Sequence, residues 1–377
     1  MKILLVTFAD MLQPLFKYCL KPELKYCAIV VDNIEHTKKF ITDLNLPENI
    51  IYPYYDDEEC IENLQYDLIL CVTNTTAINL LPQQVRKYCS PKNKFLQLTL
   101  SDDANHLFLV KRTLNYFKLH ANNFEMFATG MSYFSHGLDT SRFEKNLFNF
   151  AKASQDLYYD YQVAKFAVSH GKNLRYALIG LAPYSFHYDL SKTTDQGWRV
   201  VYYSLALNDT HNFWMSSDEI KKLFTQNFIS YELPIENFDL NDTNSDKIEM
   251  QEMNLGARLR TRDRAEIWSN KNYPETFAEN IKIFDDYLTL CEENNIRPII
   301  LITPVTEGYK KFFSKEKITE FHEIISAAIE KHSTAIFVDG WKIEQFADID
   351  FFDSDHLNRL GAAKFSVILN NAIEQMN

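Results

Sequence analysis

The chain has 377 residues, 46% hydrophobic and 24% charged, the composition of a folded globular protein of two or three domains. Its net charge of −12 argues against a nucleic-acid binder, which needs a basic face. Only 9 residues are glycine and none precedes Gly130, so the N-terminal third has no phosphate loop or dinucleotide fingerprint, both of which bring glycine backbone against a pyrophosphate.

The chain opens with β-rich runs at Lys2–Val6, Cys27–Asp32, Asp67–Val72 and Phe95–Leu100, separated by polar stretches of helix length. Continuous apolar runs in that rhythm predict a buried parallel sheet. The first apolar run is cut by Asp10 and is too short for a signal peptide, and no stretch approaches the roughly 20 apolar residues of a membrane span. Six cysteines (19, 27, 60, 71, 89 and 291) form no C-x-x-C pair and read as reduced, buried thiols, so the expected location is cytoplasmic. Residues 1–120 carry a net charge of −1 and residues 121–377 carry −11. The charge step and the first glycine nearly coincide, which predicts a domain boundary near 120. The smaller α/β domain, 1–120, shows no convergent polar cluster. It is expected to serve docking or oligomerisation.

The α/β grammar then repeats. Strands are predicted at Glu125–Thr129, Arg175–Ile179, Pro298–Thr303 and Ala335–Asp339, and three of them run directly into Gly130, Gly180 and Gly340. Leu157, Tyr161, Ala164 and Val168 mark one helix face, and Phe365, Ile368, Leu369 and Ala372 another. Between about 205 and 270 the pattern weakens, which predicts an insertion or lid within the domain 121–377.

Two motifs carry chemistry. In Gly130-Met131-Ser132 a strand ends at a glycine and a serine follows at a helix entrance. A sharp strand-to-helix turn exposes a hydroxyl and aims backbone N–H groups at an oxyanion. In Asp353-Ser354-Asp355-His356, before the last helix, Asp353 can accept the Nδ1 proton of His356 and leave Nε2 as a base. Asn358 is the expected N-cap of that helix, and Asp355 reads as part of a solvated acidic turn.

An early strand–Gly-x-Ser and a late Asp-x-x-His together resemble the SGNH (GDSL-type) hydrolase superfamily over about 122–377, in particular a divergent branch from bacterial glycan and envelope gene clusters. Ser154–Tyr161 and Asp353–Asn358 carry the closer likeness, and the closing Asp-x-x-His is also similar to D-alanyl-transfer proteins of teichoic acid systems. The resemblance implies a flavodoxin-like three-layer α/β/α sandwich with Ser132 as nucleophile, His356 as base and Asp353 as orienter. The first block departs from the family's Gly-Asp-Ser-Leu, reading Gly-Met-Ser-Tyr. The second-block glycine is missing from 149–155, and the third-block asparagine is missing after Gly180. The candidate oxyanion donors are therefore Ser132, Ser154, Tyr184 and Ser185, and the candidate substrate contacts are Tyr133, His136, Gln155 and His187. No cluster has metal-ligand spacing, so no metal is expected.

The function expected is acyl-ester chemistry on a carbohydrate hydroxyl through a Ser132 acyl-enzyme. O-acetyl transfer to a bacterial surface glycan or its precursor leads, with acetyl-CoA as the donor and no tightly bound cofactor. For residues 1–120 the expected partner is a second copy or a glycan-biosynthesis protein, with acceptor binding as the alternative role. Two alternatives stand beside it: a carbohydrate O-acetyl esterase with the same triad, and a degenerate glycan-binding or scaffolding protein that has lost its oxyanion donors.

Overall fold

The computed structural model describes residues 2–8, 12, 15, 26–31, 33–43, 51–53, 65–73, 95–99, 109–193, 196–227 and 255–375. By compactness the chain divides into one unit of 1–112 with 191–237 and a second of 113–190 with 238–377. The sequence boundary near 120 differs from this division chiefly in leaving 191–237 with the second part. Of the expected insertion at 205–270, residues 228–254 lie outside the described residues.

The first unit holds a five-stranded parallel sheet of β1 (Ile3–Thr7), β2 (Tyr26–Val31), β3 (Ile51–Pro53), β4 (Leu68–Thr73) and β5 (Phe95–Thr99). Its strand order is β3-β2-β1-β4-β5. The central strand Ile-Leu-Leu-Val-Thr is buried along its whole length, which is why it shows no polar alternation. Cys71 on β4 is fully buried.

The second unit holds β6 (Met126–Thr129), β7 (Leu147–Asn149), β8 (Tyr176–Gly180), β9 (Arg297–Ile302) and β10 (Ile336–Asp339), all parallel, in the order β7-β6-β8-β9-β10. The chain steps from β6 outward to β7 and then returns to the other side of β6 for β8. The order therefore reverses between β6 and β8, and in open sheets a crevice opens there at the carboxyl ends of the strands. Helices Leu157–His170 and Pro274–Glu293 pack on each other, the first also against β6 and the second against β9, while helix Lys315–Lys331 packs on β10. Helix Ser132–Gly137 packs on the last helix, Arg359–Glu374. Phe117, Phe148 and Phe150 close the β7 side, with ring centroids 4.5 to 5.2 Å apart.

The helix faces read from periodicity hold in part: Leu157, Ala164, Phe365 and Leu369 are buried, while Tyr161, Val168, Ile368 and Ala372 are half-buried. In Leu157–His170 the buried residues are Leu157, Tyr159, Asp160, Val163, Ala164 and Ala167, so Tyr161 is half-buried and Tyr159 takes the core position. The inner face carries an aspartate, which an apolar-periodicity reading assigns to solvent.

Where β6 and β8 end side by side, a phenyl ring replaces two side chains. A Cβ on Gly180 would lie 2.2 Å from the Phe134 ring, and Phe134 is fully buried. Gly180→Ala is expected to lower stability by about 2–3 kcal/mol through overpacking, read as a lower urea midpoint at unchanged slope. A midpoint within error of wild type would show that the ring is loosely held.

Candidate active site

The turn after β6 is built by Gly130. Its φ of +140° lies where L side chains are strained, and a Cβ there would stand 2.9 Å from the Gly180 carbonyl oxygen. Asp160 accepts a hydrogen bond from the Gly130 N–H and another from Gln155 Nε2 at 2.6 Å, which ties the turn to the helix behind it. Burial pushes the Asp160 carboxyl well above the usual carboxylate range. The chain then enters helix Ser132–Gly137 with Met131 as an N-cap that makes no side-chain cap bond. Ser132 is its first residue, half-buried, and the first N–H groups of a helix lack intrahelical acceptors.

The second half of the site is the loop 351–357, closed by an antiparallel bridge between Phe351 and Leu357 and by the Phe352 N–H donating to the His356 carbonyl at 3.0 Å. Asp353 Oδ1 accepts the N–H groups of Asp355 and His356, at 3.1 and 2.8 Å, so the carboxylate shapes the turn that carries its partner. Asn358 caps the final helix, accepting from the N–H groups of Leu360 and Gly361 at 2.9 and 3.1 Å.

These halves meet. The Ser132 hydroxyl lies 2.8 Å from His356 Nε2, and His356 Nδ1 lies 3.0 Å from both carboxylate oxygens of Asp353. A ring nitrogen facing two carboxylate oxygens carries the proton, so Nε2 presents its lone pair to the serine hydroxyl. The three side chains expected to act as nucleophile, base and orienter thus stand in sequence at hydrogen-bond distances.

Two further residues complete the arrangement, and neither was legible beforehand. Asp355, expected in a solvated turn, is 0% exposed. Its Oδ2 accepts from the Tyr133 hydroxyl at 2.7 Å and its Oδ1 from the Ser354 hydroxyl at 3.3 Å. Arg264, from helix Leu255–Ser269, lies with Nε 2.5 Å from Asp355 Oδ1 and Nη1 3.5 Å from Asp353 Oδ2. The Nε contact is an ion pair by distance, and its N–H is not aimed at the oxygen. The second carboxylate is thus paired from outside its own loop, and burial is compatible with its charge. Asp353, Asp355 and His356 also lie close enough to hold a metal ion, but the guanidinium already supplies a cation on that side.

Charge around the imidazole acts in opposite senses. Burial lowers the basicity of His356, but Asp353 and Asp355 outweigh burial and the opposing Arg264, so its pKa is raised above 6.5. Burial works against the Asp353 anion too, yet His356 and Arg264 hold that carboxyl well below the usual range. Burial raises Asp355, more than His356 and Arg264 offset. A general base must be neutral to accept a proton, so turnover is expected to rise with pH through a limb centred above 6.5. A kcat/KM profile whose acid limb falls at or below that value would contradict the geometry.

The remaining candidate residues are spread around this centre. The Tyr133 ring stacks on His356 at 4.8 Å, and His136 meets it edge-on at 5.5 Å. Ser154 has φ +63°, the left-handed conformation that a glycine adopts without strain, and its carbonyl accepts from the Tyr188 hydroxyl at 3.2 Å. Its loop hangs on the end of β6, where the Phe150 and Lys152 N–H groups donate to the Ala128 and Gly130 carbonyls. The Tyr184 hydroxyl lies 3.2 Å from both the Tyr133 hydroxyl and Met131 Sδ, and its ring stacks on Trp268 at 4.4 Å. The Ser185 N–H donates to the Ala182 carbonyl and its Oγ accepts from the Ala182 N–H, so both close a local turn. Gln155 is buried on Asp160, as described. His187 Nε2 sits 2.8 Å from Glu320 Oε2 and 2.6 Å from Lys317 Nζ, with the ring against Phe277. A cavity of about 10 Å³, the room of one water, lies beyond β8 and β9 against Tyr133, Tyr184, Thr303 and Tyr309.

No protein-family model matches the chain, and no curated protein matches it. Among the described residues, no helix is long and apolar enough to cross a membrane.

Proposed function

We propose that the chain is a serine-dependent acyl-ester enzyme acting on carbohydrate hydroxyls, with O-acetyl transfer from acetyl-CoA to a glycan or glycan precursor as its reaction. One observation carries the reading: the serine–histidine–aspartate relay from Ser132 Oγ through His356 to Asp353. The strand order β7-β6-β8-β9-β10, which is flavodoxin-like, supports the SGNH-type architecture, and Ser132 follows the strand at the switch point.

In this reaction Ser132 Oγ attacks the acyl carbonyl as its proton passes to His356 Nε2, and Asp353 holds the resulting imidazolium. The oxyanion is met by the Ser132 N–H at the helix start, with the Ser154 N–H as the second donor from its left-handed turn. The imidazolium then protonates the departing thiolate or alkoxide. An acceptor hydroxyl loses its proton to Nε2 and takes the acyl group from the serine. Water in that position gives hydrolysis with the same residues, which is the esterase reading.

Intact mass after incubation with a fluorophosphonate, and separately with acetyl-CoA, tests the proposal. An adduct with each reagent that disappears in Ser132→Ala is the expected result. Labelling by the fluorophosphonate alone favours the esterase, and labelling by neither moves the glycan-binding reading forward.

A further inference from the structure

The triad leaves a buried carboxylate and a half-buried guanidinium unaccounted for. Asp355 accepts from two donors, Tyr133 Oη and Ser354 Oγ, and pairs by charge with the Arg264 guanidinium. It also lies 3.8 Å from His356 Nδ1, close enough to compete with Asp353 for the ring proton. Arg264 spans the gap. Its Nε is on Asp355, its Nη1 faces Asp353, and its Nη2 stands 3.3 Å from His356 Nδ1. That last contact sets one donor against another, since Nδ1 carries its own proton toward Asp353.

We propose that Arg264 is a positioning residue that acts through Asp355: it pins the second carboxylate and leaves Asp353 as the sole partner of the His356 Nδ1 proton. The inference rests on the serine-enzyme reading and adds to it a control on the base. The groups facing His356 are Asp353 and Asp355 from its own loop, Ser132, Tyr133 and His136 from helix Ser132–Gly137, and Arg264 from helix Leu255–Ser269. Among the described residues Arg264 is the one permanent cation in that shell, so its removal has a defined sign. Without it, two carboxylates act on one imidazole, the imidazolium is over-stabilised, and the base is lost at neutral pH.

The test titrates the His356 imidazole by NMR, with its resonance identified by its loss in His356→Gln, beside the pH profile of kcat/KM. Arg264→Met is expected to move both the titration and the acid limb up by about one pH unit, a loss of up to about tenfold on the acid side of the limb. Asp355→Asn is expected to move both down. Arg264→Lys, which keeps the charge, should return the limb toward its original position, and so should the double variant Arg264→Met/Asp355→Asn. A purely structural role would lower stability or raise KM and leave the limb in place in every variant, which overturns the proposal. So would Arg264→Met and Asp355→Asn shifting the titration in the same direction. The titration needs no turnover. If it shifts as expected in a protein without Ser132-dependent chemistry, the pair stands and the acyl-enzyme reading falls.

Discussion

Ser132→Ala is expected to remove fluorophosphonate labelling and to lower kcat on an activated ester by on the order of 10⁶-fold, while leaving the fold intact. The size of the effect follows from the geometry. The hydroxyl is already 2.8 Å from a nitrogen whose lone pair faces it, so its deletion removes the covalent route and not merely a binding contact. What survives is the activity of the oxyanion donors and of substrate positioning, typically 10³–10⁴-fold over water. Structural damage should be small, because Ser132 is half-buried at the first position of a short helix whose N-cap makes no side-chain bond. A variant that keeps its rate would assign the chemistry to some other group and would leave the 2.8 Å contact as a capping arrangement.

Asp353→Asn is expected to cost about 10⁴-fold in kcat, with the loop retained. The asparagine oxygen can still accept the N–H groups of Asp355 and His356, which Asp353 Oδ1 holds at 3.1 and 2.8 Å. Its amide nitrogen, however, presents N–H to His356 Nδ1. The imidazole then carries its proton on Nε2, facing Ser132, and cannot accept another. Loss of the negative charge also lowers the basicity of His356, so the acid limb moves down as the rate falls. Stability responds with the sign of a depressed carboxyl. The folded-state carboxyl is held below its unfolded value of 3.8, so its contribution is present above that pH and is lost on acidification. The stability gap between wild type and Asp353→Asn should therefore narrow in acid, read from chemical denaturation at pH 7 and pH 3. A variant equally active and equally stable at both would remove Asp353 from the relay.

The alternating apolar runs and helix-length spacers determined an α/β chain with parallel strands, because a strand buried on both faces has no room for polar alternation. Strands β3 and β7 were not legible, since three residues are too few for any period to show. Gly130, Ser132, Asp353 and His356 were readable because their chemistry is local. A strand-ending glycine before a serine, and a carboxylate one turn from an imidazole, each declare themselves within six residues. Arg264 and Asp355 gave no such signal. One looks like any arginine in a charged helix and the other like any aspartate in an acidic turn, and only folding, across 91 positions, makes them partners at 2.5 Å. Asp160 is the same lesson on the strand side: a charged residue reads as solvent-facing until the Gly130 N–H and Gln155 are found to need an acceptor there. The sequence alone determined which groups could do the chemistry, because reactivity belongs to the side chain. The tertiary structure decided which charges surround them, because burial and pairing depend on what packs against a residue, not on what precedes it.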